Sequence, residues 1–111
     1  MKVKIGKYPT CDSTNRKVKV KLHPYDIWSL DHTLALVILP SLRYFKSCKG
    51  GFPARFDSME EWDEILDKMI YSFEMAAEGE DLYYNQTDAE RSENIAEGFR
   101  LFGLYYGMLW T

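Results

Sequence analysis

Tyr25-Asp26-Ile27-Trp28-Ser29-Leu30-Asp31-His32-Thr33-Leu34-Ala35-Leu36-Val37-Ile38-Leu39-Pro40 is the stretch on which the fold turns. It is the most apolar segment of the chain, and its head gathers Trp, Ser, Asp, His and Thr. Asp26 is a suitable N-cap for a helix over 27–48, with Ser29 as the competing cap. At about 100° per residue, Leu30, Leu34, Val37, Ile38, Ser41 and Phe45 share one face. Leu36 and Leu39 fall opposite, beside Trp28, His32 and Arg43. A helix apolar on two sides is expected at the centre of a fold, covered twice. Pro40 removes one backbone hydrogen bond, so a kink is expected there. Lys46 and Lys49 suit the helix C-terminus, and Gly50-Gly51 stops it.

Toward the N-terminus, Lys2–Ile5 and Lys17–Leu22 alternate lysine with an apolar residue, the signature of strands. Val3, Ile5, Val18, Val20 and Leu22 would line a dry face. Lys2, Lys4, Lys17, Lys19 and Lys21 would line the other. Pro9-Thr10-Cys11-Asp12-Ser13-Thr14-Asn15 reads as the connection. The result is a two-stranded antiparallel ribbon over 1–22, which is marginal alone and is expected to lie on helices. The lysines serve either to protect strand edges from aggregation or to bind phosphate.

Toward the C-terminus, Ser58-Met59-Glu60-Glu61 is a capping box opening a helix over 58–78. Trp62, Ile65, Leu66, Met69, Ile70, Phe73, Ala76 and Ala77 form its apolar stripe, bordered by Asp63, Asp67 and Glu74. A polar loop holding Tyr83-Tyr84 follows. Thr87-Asp88-Ala89-Glu90 is a second capping box, for a helix over 88–110. Ile95, Phe99, Phe102, Tyr106, Leu109 and Trp110 form that helix's main face; Leu101, Leu104, Tyr105 and Met108 form a second. Gly98, Gly103 and Gly107 each cost about 1 kcal/mol in a helix, which implies close approach of another backbone or a ligand. The second apolar face calls for a homo-oligomer.

The 111 residues suit one domain, 1–111, of the α+β class: a ribbon packed on a three-helix bundle with a central kinked helix. Net charge is −3 but unevenly spread. Residues 1–56 carry eleven Lys and Arg against three Asp; residues 57–111 carry three against fourteen Asp and Glu. The acidic half speaks against a long nucleic acid as partner, whereas a small anion escapes that objection. Cys11 and Cys48 lack the spacing of a zinc knuckle or disulfide framework, and a reducing cytoplasm fits them. The opening Met1-Lys2-Val3-Lys4 is unlike a signal peptide, and no run approaches a membrane span. Asn85-Gln86-Thr87 matches a glycosylation sequon by chance.

Three groups of residues could carry chemistry. Asp31 and His32 sit on the central helix with Trp28 one turn from His32, as a ligand-reading set or as core residues. His32 with Asp63, Asp67 and Glu74 could hold Mg or Mn, although carboxylates one turn apart more often pair with Lys and Arg. Lys19, Lys21, Arg43 and Arg100, with Tyr105 and Tyr106, combine cations with rings that stack bases. No nucleophile elbow is present.

Met1-Lys2-Val3-Lys4-Ile5-Gly6, Trp28-Ser29-Leu30-Asp31-His32-Thr33-Leu34-Ala35, Ile38-Leu39-Pro40, Trp62-Asp63, Leu66-Asp67, Met69-Ile70, Phe73-Glu74, Gly98-Phe99-Arg100-Leu101-Phe102-Gly103, Tyr105-Tyr106 and Leu109-Trp110 together resemble a family of small proteins of tailed bacteriophages. The chain departs from that pattern at Glu97, where Asn is common, and in shorter connections. The resemblance implies a phage protein acting in the cytoplasm of the infected bacterial host. It brings no reaction with it. The expected function is non-enzymatic binding of a small anionic ligand, such as a cyclic nucleotide immune signal sequestered in counter-defence. Trp28, Tyr105 and Tyr106 would stack the base, Arg43, Arg100, Lys19 and Lys21 would hold phosphate, and Asp31 or His32 would read polar edges. No cofactor is then needed. The alternatives are a metal-dependent nucleotide hydrolase and an inhibitor or adaptor acting on a host protein.

Overall fold

A computed structural model describes residues 1–79 and 88–111. Tyr83, Tyr84, the sequon and Thr87 of the second capping box lie outside the described residues. The fold is α+β: two antiparallel strands, β1 (Lys2–Ile5) and β2 (Val18–Lys21), then three helices, α1 (Leu30–Cys48), α2 (Met59–Ala77) and α3 (Ala89–Tyr105). The chain forms two compact units, Met1–Leu30 and Asp31–Thr111. Among the described residues no helix is long and apolar enough to cross a membrane.

The first unit is the ribbon and the turn that follows it. Lys2 pairs with Lys21, Val3 with Val20, Lys4 with Lys19, and Ile5 with Val18. The Gly6 N–H extends the ladder to the Lys17 carbonyl at 2.7 Å. Arg16 Nε donates to the Gly6 carbonyl at 2.6 Å, and its guanidinium lies 4.6 Å from the Tyr8 ring centre. The expected dry face is not dry: Val3, Ile5, Val18 and Val20 are 43–62% exposed.

After β2 the chain enters a 3₁₀ turn over Pro24–Ile27, not the expected α-helix from Ile27. Pro24 at its start presets φ and needs no hydrogen-bond acceptor. Asp26 is therefore the third residue of a capping box, not an N-cap. It accepts the His23 N–H at 2.7 Å, and His23 Nδ1 accepts the Tyr25 N–H at 3.4 Å. Asp26 also accepts from the Met1 ammonium at 3.0 Å, which ties the start of β1 to the turn. The His23 backbone N–H, and then the Met1 ammonium, hold the buried Asp26 carboxyl below the usual carboxylate range.

In the second unit α2 is the central element. Trp62, Leu66, Met69, Ile70, Phe73 and Ala76, the heart of the expected stripe, are buried with Ser72. Ser58 Oγ caps the helix by accepting the Glu61 N–H at 3.2 Å, while the Glu61 carboxylate reaches back one residue further, to the Asp57 N–H at 3.0 Å. Gly79 closes the helix at φ 76°, a conformation glycine adopts without strain.

α1 lies antiparallel to α2 and is covered on one side, so it is not the twice-covered centre. Its buried side chains are Ala35, Leu39 and Leu42, whereas Leu30, Leu34, Leu36 and Val37 are 40–55% exposed. The helix runs unbroken through Pro40. The inward face was set by charge as well as by bulk. Arg43 and Lys46 ascend α1, with Lys49 just past its end, while Glu74, Asp67 and Asp63 descend α2, and each cation meets one carboxylate.

α3 crosses α2 at Gly98 and Ser72. The Ser72 hydroxyl donates to the Ile95 carbonyl at 2.6 Å. Beyond Tyr105 the α-helix tightens to 3₁₀ over Tyr106–Met108, short of the expected end at 110. The face expected to need an outside cover is largely internal: Leu101 and Tyr105 are buried, because Phe56 folds in from the loop before α2. Phe56 stacks on Trp62 with centres 5.3 Å apart, and Tyr105 sits 5.4 Å from Phe56 and 6.0 Å from Trp62. Leu104 and Tyr106 are exposed.

Candidate anion-binding site

The ribbon register sets like charges opposite one another. Side chains alternate along a strand, so Lys2, Lys4, Lys19 and Lys21 project from one side. Lys2 faces Lys21 and Lys4 faces Lys19. A Cβ added at Gly6 would stand 3.5 Å from the Lys17 Cβ, which puts Lys17 on the same side with no side chain opposite it. Lys2, Lys4, Lys19 and Lys21, with Val3, line a shallow hollow of about 470 Å³. Directly opposed like charges destabilise a ribbon by some tenths of a kcal/mol per pair, about 0.2–1. Among the described residues none of these four lysines meets a carboxylate.

The cations of the second unit are placed differently. Arg43 donates to Glu74 at 2.9 Å and Lys46 to Asp67 at 2.7 Å. The hydrogen bond that Lys46 donates to the Asp67 carboxylate raises the Lys46 pKa. Lys49, its side chain buried, donates to Asp63 and to the Lys46 carbonyl, which lies in the last turn of α1. Arg100 grips Glu97 with two nitrogens, at 2.7 and 2.6 Å. That fork lowers the Glu97 pKa and raises that of Arg100. Arg43 and Arg100 are thus occupied, although both remain exposed.

The expected aromatic readers are dispersed. Trp28 is 79% exposed in the first unit, edge-on to Tyr25 at 6.4 Å, and Tyr25 lies 3.9 Å from His23. Tyr105 belongs to the core, with the Arg55 guanidinium 5.1 Å from its ring centre. Tyr106 points to solvent and leans edge-on against Phe102 at 5.6 Å. Adjacent residues on a helix diverge by about 100°, so the two tyrosines cannot sandwich one base.

Asp31 is exposed in the first turn of α1. His32 is half-buried, and its Nδ1 lies 3.1 Å from the Ala76 carbonyl. A carbonyl only accepts, so Nδ1 carries the proton and the ring joins the first turn of α1 to the last turn of α2. His32, Asp63, Asp67 and Glu74 do not gather as Mg or Mn would need: His32 meets the Ala76 carbonyl, and each carboxylate lends an oxygen to a different cation, Lys49, Lys46 or Arg43. Among the described residues no three His, Cys, Asp or Glu side chains group as a metal site would need.

Lys2 and Lys4 share the expected lysine face with Lys19 and Lys21 and join them as candidate phosphate ligands, because the register sets the four opposite one another. No protein-family model, curated protein or solved structure matches the chain.

Proposed function

We propose that this protein is a non-enzymatic binder of a small phosphate-bearing ligand, held on the lysine face of the ribbon. One observation carries it. Arg43, Lys46, Lys49 and Arg100 each pair with a carboxylate, whereas Lys2, Lys4, Lys19 and Lys21 face one another without one among the described residues. Such an array is relieved by an anion. Trp28 and Tyr25, exposed in the same unit, supply ring faces for a base. Resemblance to tailed-phage proteins supports action in the cytoplasm of an infected bacterium, where sequestering a nucleotide immune signal, cyclic nucleotides included, would serve counter-defence. The exposed Leu34, Leu36, Val37 and Leu104 support a homo-oligomer.

Calorimetric titration with a panel of mononucleotides and cyclic nucleotides tests the proposal. Binding is expected for the wild type and at least tenfold weakening for Lys19→Gln/Lys21→Gln. Silence across the panel overturns it. Chromatography of the recovered nucleotide after incubation with magnesium or manganese is expected to show it intact; turnover would favour a hydrolase instead.

A further inference from the structure

Resting on that proposed function, we infer that the ligand carries two phosphoryl groups separated by a spacer, each clamped by one cross-strand lysine pair. Within a pair the two Cα atoms of antiparallel strands stand about 4.5–5.5 Å apart. Successive same-face rows are two residues apart, about 6.8 Å. Two ammonium groups from one row therefore converge on one phosphate more readily than on two.

The array has two complete rows, Lys2 with Lys21 and Lys4 with Lys19. It ends on both sides. In the next row Lys17 faces Gly6, which has no side chain. Past the first row β2 ends at Lys21, and His23, two residues on, turns its ring to cap the 3₁₀ turn. Two full clamps in line match two phosphates spaced along the ribbon. They match neither one phosphate nor a pair bridged through a single oxygen, which would leave one row unrelieved. A long strand would extend past the two complete rows and leave its further phosphates without a clamp.

Two isomers and a control decide the matter: adenosine 3′,5′-bisphosphate, adenosine 5′-diphosphate and adenosine 5′-monophosphate, titrated by calorimetry against the full chain. The 3′,5′-bisphosphate is expected to bind at least tenfold more tightly than the other two. Lys2→Gln/Lys21→Gln and Lys4→Gln/Lys19→Gln are each expected to reduce it to the monophosphate level. All four lysines are exposed, and circular dichroism of the variants confirms the fold. Equal binding of the two isomers overturns the two-clamp inference while leaving phosphate binding in place. A preference that survives in both variants reflects ligand charge alone and also overturns it. Affinity for oligonucleotides that keeps rising with length overturns it in favour of a polyanion. Binding of none of the probes overturns the proposed function and this inference together.

Discussion

Gly98 on α3 lies so close to Ser72 on α2 that a Cβ there would stand 1.9 Å from the Ser72 hydroxyl oxygen and 2.2 Å from the Lys68 carbonyl. The carbonyl belongs to a helix backbone and cannot rotate away. Gly98→Ala is expected to destabilise the protein by about 3 kcal/mol, as the crossing is forced apart. Urea denaturation reads this as a lower midpoint. An unchanged midpoint would show that the two helices can separate freely at this point.

Among the described residues Gly103 has open space where Gly98 has none, with nothing within 4 Å of an added Cβ. Gly103→Ala is therefore expected to stabilise the isolated chain by up to about 1 kcal/mol, the helix propensity difference. Should copies of the chain pack through this face of α3, the same variant would lower the mass seen by sedimentation. Stabilisation with an unchanged mass would leave the glycine without a packing role.

Three ion pairs join α1 to α2, but only one has a buried partner. The Lys49 side chain is 4% exposed, against 34% for Lys46 and 55% for Arg43. Asp63→Asn strands a buried ammonium and is expected to cost about 2 kcal/mol, between the values for buried and exposed pairs. Asp67→Asn and Glu74→Gln are each expected to cost under about 1 kcal/mol. Denaturant midpoints of the three variants check the order; three equal losses would refute it.

Asp26 couples the first unit to pH. Its carboxyl is held below the ordinary range by the His23 N–H and the Met1 ammonium, so the folded pKa lies below the unfolded value of about 3.9. The stabilisation is fully present above the unfolded value and is lost as pH falls through the folded one. Amide NMR signals of β1 and β2 are expected to persist in the wild type at pH 6 and to fade as pH falls below the unfolded value of about 3.9. Asp26→Asn is expected to weaken them already at pH 6 and to remove the acid dependence. An acid transition equal to that of the wild type would contradict this.

Where a side chain's role depended on its own helix or strand, it could be read from the sequence. The stripe from Trp62 to Ala76 on α2 and the lysine alternation on both strands are of this kind. Roles that depended on another element were not legible. The inward face of α1 is marked by small Ala35 and by Lys46 and Lys49, which look like a wet face until the acids of α2 answer them. Tyr105 looked like half of a stacking pair because Phe56, its cover, lies in a segment with no periodicity. Among the described residues the Gly98 contact is realised and those of Gly103 and Gly107 are not, and composition cannot distinguish the three. For the candidate site, the lysines were legible but their register was not, since ten residues separate Gly6 from Lys17 in sequence.

The slender apolar footing of α1, three buried side chains against six on α2, leaves its ion pairs a larger share of what holds it than charge has in α2 or α3. Concentrated electrolyte weakens such attachments and spares greasy ones. Deuterium should therefore enter α1 amides well before those of α2 and α3, and the lag between them should widen with ionic strength. The helix hairpin is then a clasp whose outer arm can be loosened while the inner pair stays shut.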